Sequence, residues 1–233
     1  MTNGFLLNAF KMVLKYLEKD EIQMVHYPDF FEEGYKHKFD KDIYHYLDSV
    51  ARNDQYQMDR GFCHRLLRCS VTIWQFKNID ELKAKYQEVI EVLENSYPGE
   101  PNTSDLQQLK GMIREFEEEL VWAYNGVQVN HVHHLHLGFY QDKGITKGVN
   151  VERDVMPIVR QFREIQPDII SVTLDPEGSG PDTHYKVLQA TAAAVAEWSK
   201  EKDLSNVRIY GYRNVWFKFH PAEANMYVPV SLN

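Results

Sequence analysis

Residues 168–174 read DIISVTL, a short apolar run rich in β-branched side chains that is typical of a buried strand. A helical pattern follows at 183–201, and NVRIYGYRN at 206–214 is again strand-like. Upstream, VHHLHLGFY (132–140) and a helical pattern at 151–165 give the same alternation. Strands that alternate with helices are typical of βαβ units and parallel sheets. We therefore predict an α/β fold whose mostly parallel sheet has at least three strands flanked by helices.

The first hundred residues carry helical patterns only. Four such patterns occur, at residues 4–18, 41–52 and 57–76 and from a capping Asp80 onward. The segment SYPGEPNTS at 96–104 is rich in helix-breaking residues and is the best candidate for a linker. A long helix follows it and ends at Gly126. We therefore predict a helical extension over residues 1–100 and an α/β domain over residues 101–233.

Composition narrows the class of protein. The formal net charge is -8, and an acidic chain is a poor candidate for nucleic-acid binding, which requires a basic face. The two cysteines, Cys63 and Cys69, are six residues apart on a predicted helix and point to different faces, so we do not expect a disulfide between them. No apolar run approaches the roughly 20 residues that span a bilayer. We expect a cytoplasmic protein without a nucleic-acid or membrane partner.

The loop DPEGSGPDTH at 175–184 follows a predicted strand and opens a predicted helix. Ligands of open parallel sheets bind beyond the carboxyl ends of strands, and a helix N-terminus favours anions. Asp182 and Ser179 are therefore candidate substrate-binding residues. The alternative is that Asp182 or Thr183 only caps the helix. His184, in the first turn, is a candidate ligand, although a lone histidine is more often structural.

The histidine-rich stretch NHVHHLH at 130–136 suggests a metal site at first sight. On a strand, His134 and His136 point to one face, whereas His131 and His133 point to the other. The stretch also lacks the HExxH spacing of zinc proteases. We interpret it as lining a sheet face.

Five segments of the predicted α/β domain carry a family resemblance: REFE (114–117), NGV (125–127), HHLHLGFY (133–140), QPDII (166–170) and PDTH (181–184). In this order they resemble the LmbE/PIG-L family of metal-dependent sugar N-deacetylases, which implies a Rossmann-like sheet. Residues 100–233 resemble the carboxyl-terminal half of long bacterial glucosamine-6-phosphate deaminase-like proteins. In those proteins an LmbE-like region follows a sugar-phosphate deaminase/isomerase domain.

The resemblance implies a zinc site that is incomplete in this chain. Active members bind zinc through a histidine and an aspartate of a His-Pro-Asp-Asp motif and through a later histidine, which His184 matches. The nearest counterpart of the first motif is His26-Tyr27-Pro28-Asp29, which keeps His26 and Asp29 three residues apart but has Pro28 in place of the catalytic base. Pro181 stands where many members have a second histidine. His184, His26 and Asp29 are thus candidate zinc ligands, and the alternative for HYPD is an ordinary turn.

Arg114 is a candidate contact for an anionic or hydroxylated substrate, because the family uses an arginine near this place. Alternatively it pairs with Glu117 or Glu118 on the same helix face, which stabilises a helix by only about 0.3–0.5 kcal/mol.

The resemblance implies a protein of glucosamine-6-phosphate metabolism with a deacetylase fold, either hydrolase-like or part of a deaminase-like enzyme. Its ligand would be a small sugar or sugar phosphate, and its partner an upstream deaminase/isomerase domain or a second copy. The alternative is a non-catalytic binding or assembly module derived from that fold. The sequence assigns no catalytic residue.

Overall fold

The computed structural model describes residues 2–27, 29–33, 40–97, 100–138, 148–174, 182–213 and 218–227. The chain forms two compact units, unit 1 at residues 1–134 and unit 2 at residues 135–233. The predicted domain boundary lies near residue 100, whereas the break between the compact units lies between residues 134 and 135. The reason is that the helix after the linker packs on helices of unit 1.

Unit 1 is helical. Its helices are α1 (Asn3–Glu18), α2 (Asp29–Glu33), α3 (Asp40–Ala51), α4 (Gln55–Trp74), α5 (Ile79–Asn95) and α6 (Ser104–Tyr124). Two 3₁₀ turns, Gln23–His26 and Val129–His131, follow α1 and α6. The helices predicted in the first hundred residues and the long helix after the linker are confirmed.

Side-chain caps explain where two of these helices begin. The Thr2 hydroxyl accepts a hydrogen bond from the backbone N–H of Phe5 at the start of α1. At the start of α5 the capping residue is Asn78, whose side chain accepts from the N–H groups of Asp80 and Glu81. Asp80 was expected to cap this helix but lies inside its first turn, where its charge favours the positive end of the helix dipole.

The core of unit 1 forms where the apolar stripes of α1, α4, α5 and α6 meet. The Phe10 and Tyr86 rings pack edge to face with centroids 4.6 Å apart. The Tyr86 hydroxyl is buried and lies 2.7 Å from the Ser70 hydroxyl, so its polar atom is satisfied inside the core. The linker therefore separates two helices of one core rather than two domains.

Both cysteines lie on α4 and are buried free thiols, as expected from their spacing. Burial raises the pKa of each thiol to about 12.

Unit 2 contains a single-turn π-helix (Val151–Val155), α7 (Met156–Ile165), β1 (Ile169–Thr173), α8 (Asp182–Trp198) and β2 (Arg208–Tyr212). β1 and β2 pair in parallel, in a register that runs from Ile169 opposite Arg208 to Thr173 opposite Tyr212. With α8 between them they form a βαβ unit. The strands and helices predicted at these places, and their parallel arrangement, are confirmed.

The predicted third strand at 132–140 is wrong over its described part, because residues 132–138 are in no strand. His136 has a φ of 48°, a left-handed conformation that interrupts an extended chain. The backbone N–H of Gly138 bonds to the Asp154 side chain rather than to a neighbouring strand. The described sheet therefore has two strands, and a Rossmann-like sheet stays a prediction.

The two faces of β1 differ in burial, whereas β2 is largely exposed: Ile209, which pairs with the buried Ile170, is 52% exposed. Ile170 and Val172 are buried, and Ile170 belongs to a core with helices α7 and α8 in which Phe162 and Trp198 pack 5.2 Å apart. The opposite face carries Ile169, Ser171 and Thr173 of β1 and Arg208, Tyr210 and Tyr212 of β2. Ile169 is 57% exposed and Tyr212 50% exposed.

Crossing a lipid bilayer requires a long apolar helix, and none of the helices in the described part of the chain has both properties.

Candidate functional site

A cleft of about 560 Å³ lies between the start of α1 and the middle of α6. Its lining residues come from these two helix segments and are Thr2, Phe5, Arg114, Glu117, Glu118 and Val121. On α6 these residues recur at spacings of three and four, which places them on one face of the helix. The cleft therefore combines one cation, two carboxylates and an apolar wall.

Arg114 lies in this cleft without an intrahelical partner. The ion pairs formed by the described residues do not include it, although Glu117 and Glu118 are on the same helix face. Its side chain is exposed. The intrahelical pairing that the sequence left open is thus absent here, and substrate binding by Arg114 remains a proposal.

The start of α8 holds two of the other predicted site residues. The Asp182 carboxylate is 57% exposed and lies 2.6 Å from the Lys186 ammonium one turn later. His184 is half-buried in the same first turn. Ser179 falls outside the described residues, as does the rest of the loop at 175–181. The binding role of this loop therefore stays a prediction.

The HYPD motif lies in unit 1, whereas His184 lies in unit 2. His26, the first residue of the motif, ends the 3₁₀ turn Gln23–His26. His26 Nε2 is 2.7 Å from Asp20 Oδ1 on the surface, and Asp29 starts the five-residue α2. The described residues contain no group of three histidine, cysteine or acidic side chains that could hold a metal. A zinc site stays a prediction.

Unit 1 contains a buried charged cluster that was not predicted from the sequence. Arg65 Nη2 lies 3.4 Å from Glu119 Oε2, and each side chain is 1% exposed. The other oxygen of Glu119 lies 3.3 Å from His134 Nε2. Glu119 therefore joins α4, α6 and the chain after α6. The sequence does indicate that Glu119 is buried, because it follows Phe116 by three residues and so lies on the apolar stripe of α6.

Asp154 of unit 2 was also missed. It is fully buried and accepts hydrogen bonds from the Arg153 guanidinium and from the backbone N–H groups of Gly138 and Asn150, each of these amides at 2.8 Å. The Arg153 hydrogen bond, followed by the two backbone bonds, lowers the pKa of Asp154 to about 2. The sequence indicates this burial, because Asp154 lies four residues before Ile158 and so on the apolar face of the predicted helix.

A third polar cluster lies between α3 and α4. Arg60, His64 and Arg68 recur every fourth residue on α4, and Arg68 Nε donates to Asp42 Oδ2 at 2.8 Å. Burial, followed by the charges of Arg60 and Arg68, lowers the pKa of His64 to about 4. This imidazole is therefore neutral at pH 7. Its Nε2 atom is buried and has no hydrogen-bond partner among the described residues.

Comparison with known proteins identifies a bacterial relative of part of this chain. The chain is 33% identical over 163 residues to a glucosamine-6-phosphate deaminase-like protein of Bacteroides thetaiotaomicron. The match covers 67% of this chain and 24% of the relative, so the chain spans about a quarter of the relative's length. No protein-family model matches, and no solved structure matches. This chain is therefore similar to one part of a glucosamine-6-phosphate deaminase-like protein.

Proposed function

We propose that this chain acts in amino-sugar metabolism as a module that binds a small sugar or sugar phosphate. Unit 2 would have an LmbE/PIG-L-like fold without a complete zinc site. The observation that carries the proposal is the 33% identity to a protein named glucosamine-6-phosphate deaminase-like. Because the chain spans only a quarter of that protein, binding is proposed here, and the relative's full activity is not transferred.

The βαβ unit supports this proposal. Residues 175–181 connect the carboxyl end of β1 with the first turn of α8, which carries Asp182 and His184. This is the edge at which parallel sheets bind ligands, and the N–H groups of a helix start suit a phosphate. Ser179 in the connecting loop stays a candidate contact.

Calorimetric titration of the chain with glucosamine 6-phosphate and N-acetylglucosamine 6-phosphate tests the proposal. Saturable binding of either compound is the expected result, and absence of binding would contradict it. His184→Ala tests whether the start of α8 takes part in this binding, and His133→Ala, which removes an exposed histidine of unit 1, is its control and should leave the binding unchanged.

Metal analysis and a deacetylation assay on N-acetylglucosamine derivatives test the incomplete zinc site. We expect no stoichiometric zinc and no turnover. One zinc per chain, together with turnover that disappears in His184→Ala, would instead support a working deacetylase site to which His184 contributes.

The alternative, a non-catalytic assembly module, is favoured by exposed apolar side chains on one face of the sheet. Parallel sheets are normally covered on both faces, yet Ile169 and Tyr212 are about half-exposed. If this face binds a second copy, sedimentation velocity should show a dimer, and the double variant Ile169→Lys/Tyr212→Lys should be monomeric. A wild-type chain that is monomeric at high concentration would rule out this form of the alternative.

A further inference from the structure

We infer that the cleft between α1 and α6 binds the zwitterionic form of an amino-sugar phosphate, with the phosphate at Arg114 and the ammonium at Glu117 and Glu118. This inference rests on the proposed function and adds a location and a chemical class. The cleft lies entirely in unit 1 and is separate in sequence from the loop that opens α8.

Charge is distributed along the α6 side of the cleft. Arg114 lies at one end, and the Glu117 and Glu118 carboxylates follow one turn later. Lys110 precedes Arg114 by one turn, and burial and the Arg114 charge lower the pKa of its ammonium. Side chains one turn apart lie about 5–6 Å apart at their Cβ atoms, and flexible arginine and glutamate side chains can extend this span. An opposite charge at each end matches a small ligand with a phosphate and an ammonium.

The α1 side of the cleft supplies an apolar surface. The Phe5 ring packs edge to face on Phe62 with centroids 5.6 Å apart, which fixes its orientation, and it remains 45% exposed. Val121 adds a second apolar contact. Ligand sites commonly combine apolar walls with a few oriented polar groups, and an aromatic ring can cover the C–H face of a sugar.

A local contact holds one of the three charged groups in place. Glu118 accepts a hydrogen bond from Trp122 Nε1 at 2.7 Å, which positions its carboxylate. Arg114 forms no ion pair within the described part of the chain, so a phosphate would not have to displace one. A volume of about 560 Å³ also lies in the usual range for small-molecule sites, about 300–1,000 Å³.

The experiment is a calorimetric titration of the full chain with glucosamine 6-phosphate, glucose 6-phosphate and glucosamine. The two latter compounds lack the ammonium and the phosphate, respectively. We expect glucosamine 6-phosphate to bind at least about tenfold more tightly than either. In Arg114→Gln, glucosamine 6-phosphate should bind no more tightly than glucosamine. In Glu117→Gln/Glu118→Gln, it should bind no more tightly than glucose 6-phosphate.

Two controls are matched to these variants. Arg52→Gln, in the turn after α3, and Glu91→Gln on α5 change exposed charges of unit 1 outside the cleft, and both should bind like the wild type. All the substituted side chains are exposed, so the melting temperatures should agree. This comparison separates lost binding from lost folding.

The outcomes distinguish the inference from the proposed function. Binding that is insensitive to Arg114→Gln overturns the cleft but leaves the proposed function standing, and a loss confined to His184→Ala then assigns the ligand to α8. Equal binding of glucosamine 6-phosphate and glucose 6-phosphate overturns the role of the two glutamates. Absence of binding for all three compounds overturns both proposals.

Discussion

The Glu119 carboxylate lies 3.4 Å from the Arg65 guanidinium, and both side chains are withdrawn from solvent. The Arg65 guanidinium also lies over the Phe116 ring, 5.0 Å from its centroid. Loss of one partner from a buried ion pair leaves an uncompensated charge, which costs more than the intact pair contributes. The packing of α4 against α6 therefore depends on both partners of this pair being present.

Glu119→Gln should destabilise unit 1 by about 3 kcal/mol, because it keeps the shape of the side chain but removes the charge that compensates Arg65. Hydrogen exchange in increasing urea, read on peptides of α4 and α6, measures the loss. Glu91→Gln, at an exposed position of α5, should change stability by less than about 0.5 kcal/mol. Equal stability of the two variants would contradict the prediction.

Gly138→Ala should destabilise unit 2 by about 1–3 kcal/mol. A Cβ atom at Gly138 would lie 2.2 Å from Cδ and Nε of Arg153, so the guanidinium would have to leave Asp154. Gly148→Ala is the matched control, since a Cβ atom there meets nothing within 4 Å. Thermal unfolding of both variants tests the difference, and a Gly138→Ala protein as stable as Gly148→Ala would refute it.

Asp154 should make unit 2 sensitive to strong acid. Its pKa is about 2 in the folded chain and ordinarily 3.8, so the folded state favours the carboxylate. The stabilisation is complete above about pH 4 and is lost as the pH falls towards 2. Asp154→Asn should lower the stability of unit 2 at neutral pH. Its unfolding midpoint should also depend less on pH between about pH 4 and 2 than that of the wild type. Asp48→Asn, at an exposed site on α3, supplies the comparison.

His64 should add a separate pH dependence to unit 1. Its pKa is about 4 when folded and ordinarily 6.5, so between these values the unfolded chain binds a proton that the folded chain does not. Stability should therefore fall as the pH decreases from 6.5 to 4 and should be flat with respect to this group above 6.5. His64→Gln should reduce the slope relative to a His133→Gln control. Titration of the His64 ring protons above pH 6 in NMR spectra would argue against the assignment.

The sequence predicted the helices of unit 1 and the β1–α8–β2 unit because their apolar spacings are regular and their ends carry clear signals. Gly126 after α6, with a φ of 85°, is such a signal. The strand predicted from the same kind of pattern at 132–138 was wrong. Its alternation of apolar and polar residues is strand-like. The hydrogen bond from the Gly138 N–H to Asp154 and the left-handed conformation of His136 depend on tertiary structure, which local periodicity does not encode.

The candidate site was predicted only in part. Arg114 was singled out from a resemblance, and the structure adds the surroundings that a sequence cannot show, above all the approach of Phe5 from α1. Glu119 and Asp154 were missed because charged residues are normally read as solvent-facing. A carboxylate that interrupts an apolar stripe is the sequence feature that identifies both.

The two buried thiols on α4 have a practical consequence for these experiments. With a pKa of about 12 each, Cys63 and Cys69 hold almost no reactive thiolate at neutral pH. A single cysteine introduced on the surface can therefore be labelled with a maleimide dye while the native cysteines stay in place. Fluorescence reporters can thus be attached near the α1–α6 cleft without first preparing a cysteine-free protein, whose two core substitutions would disturb the packing of α4.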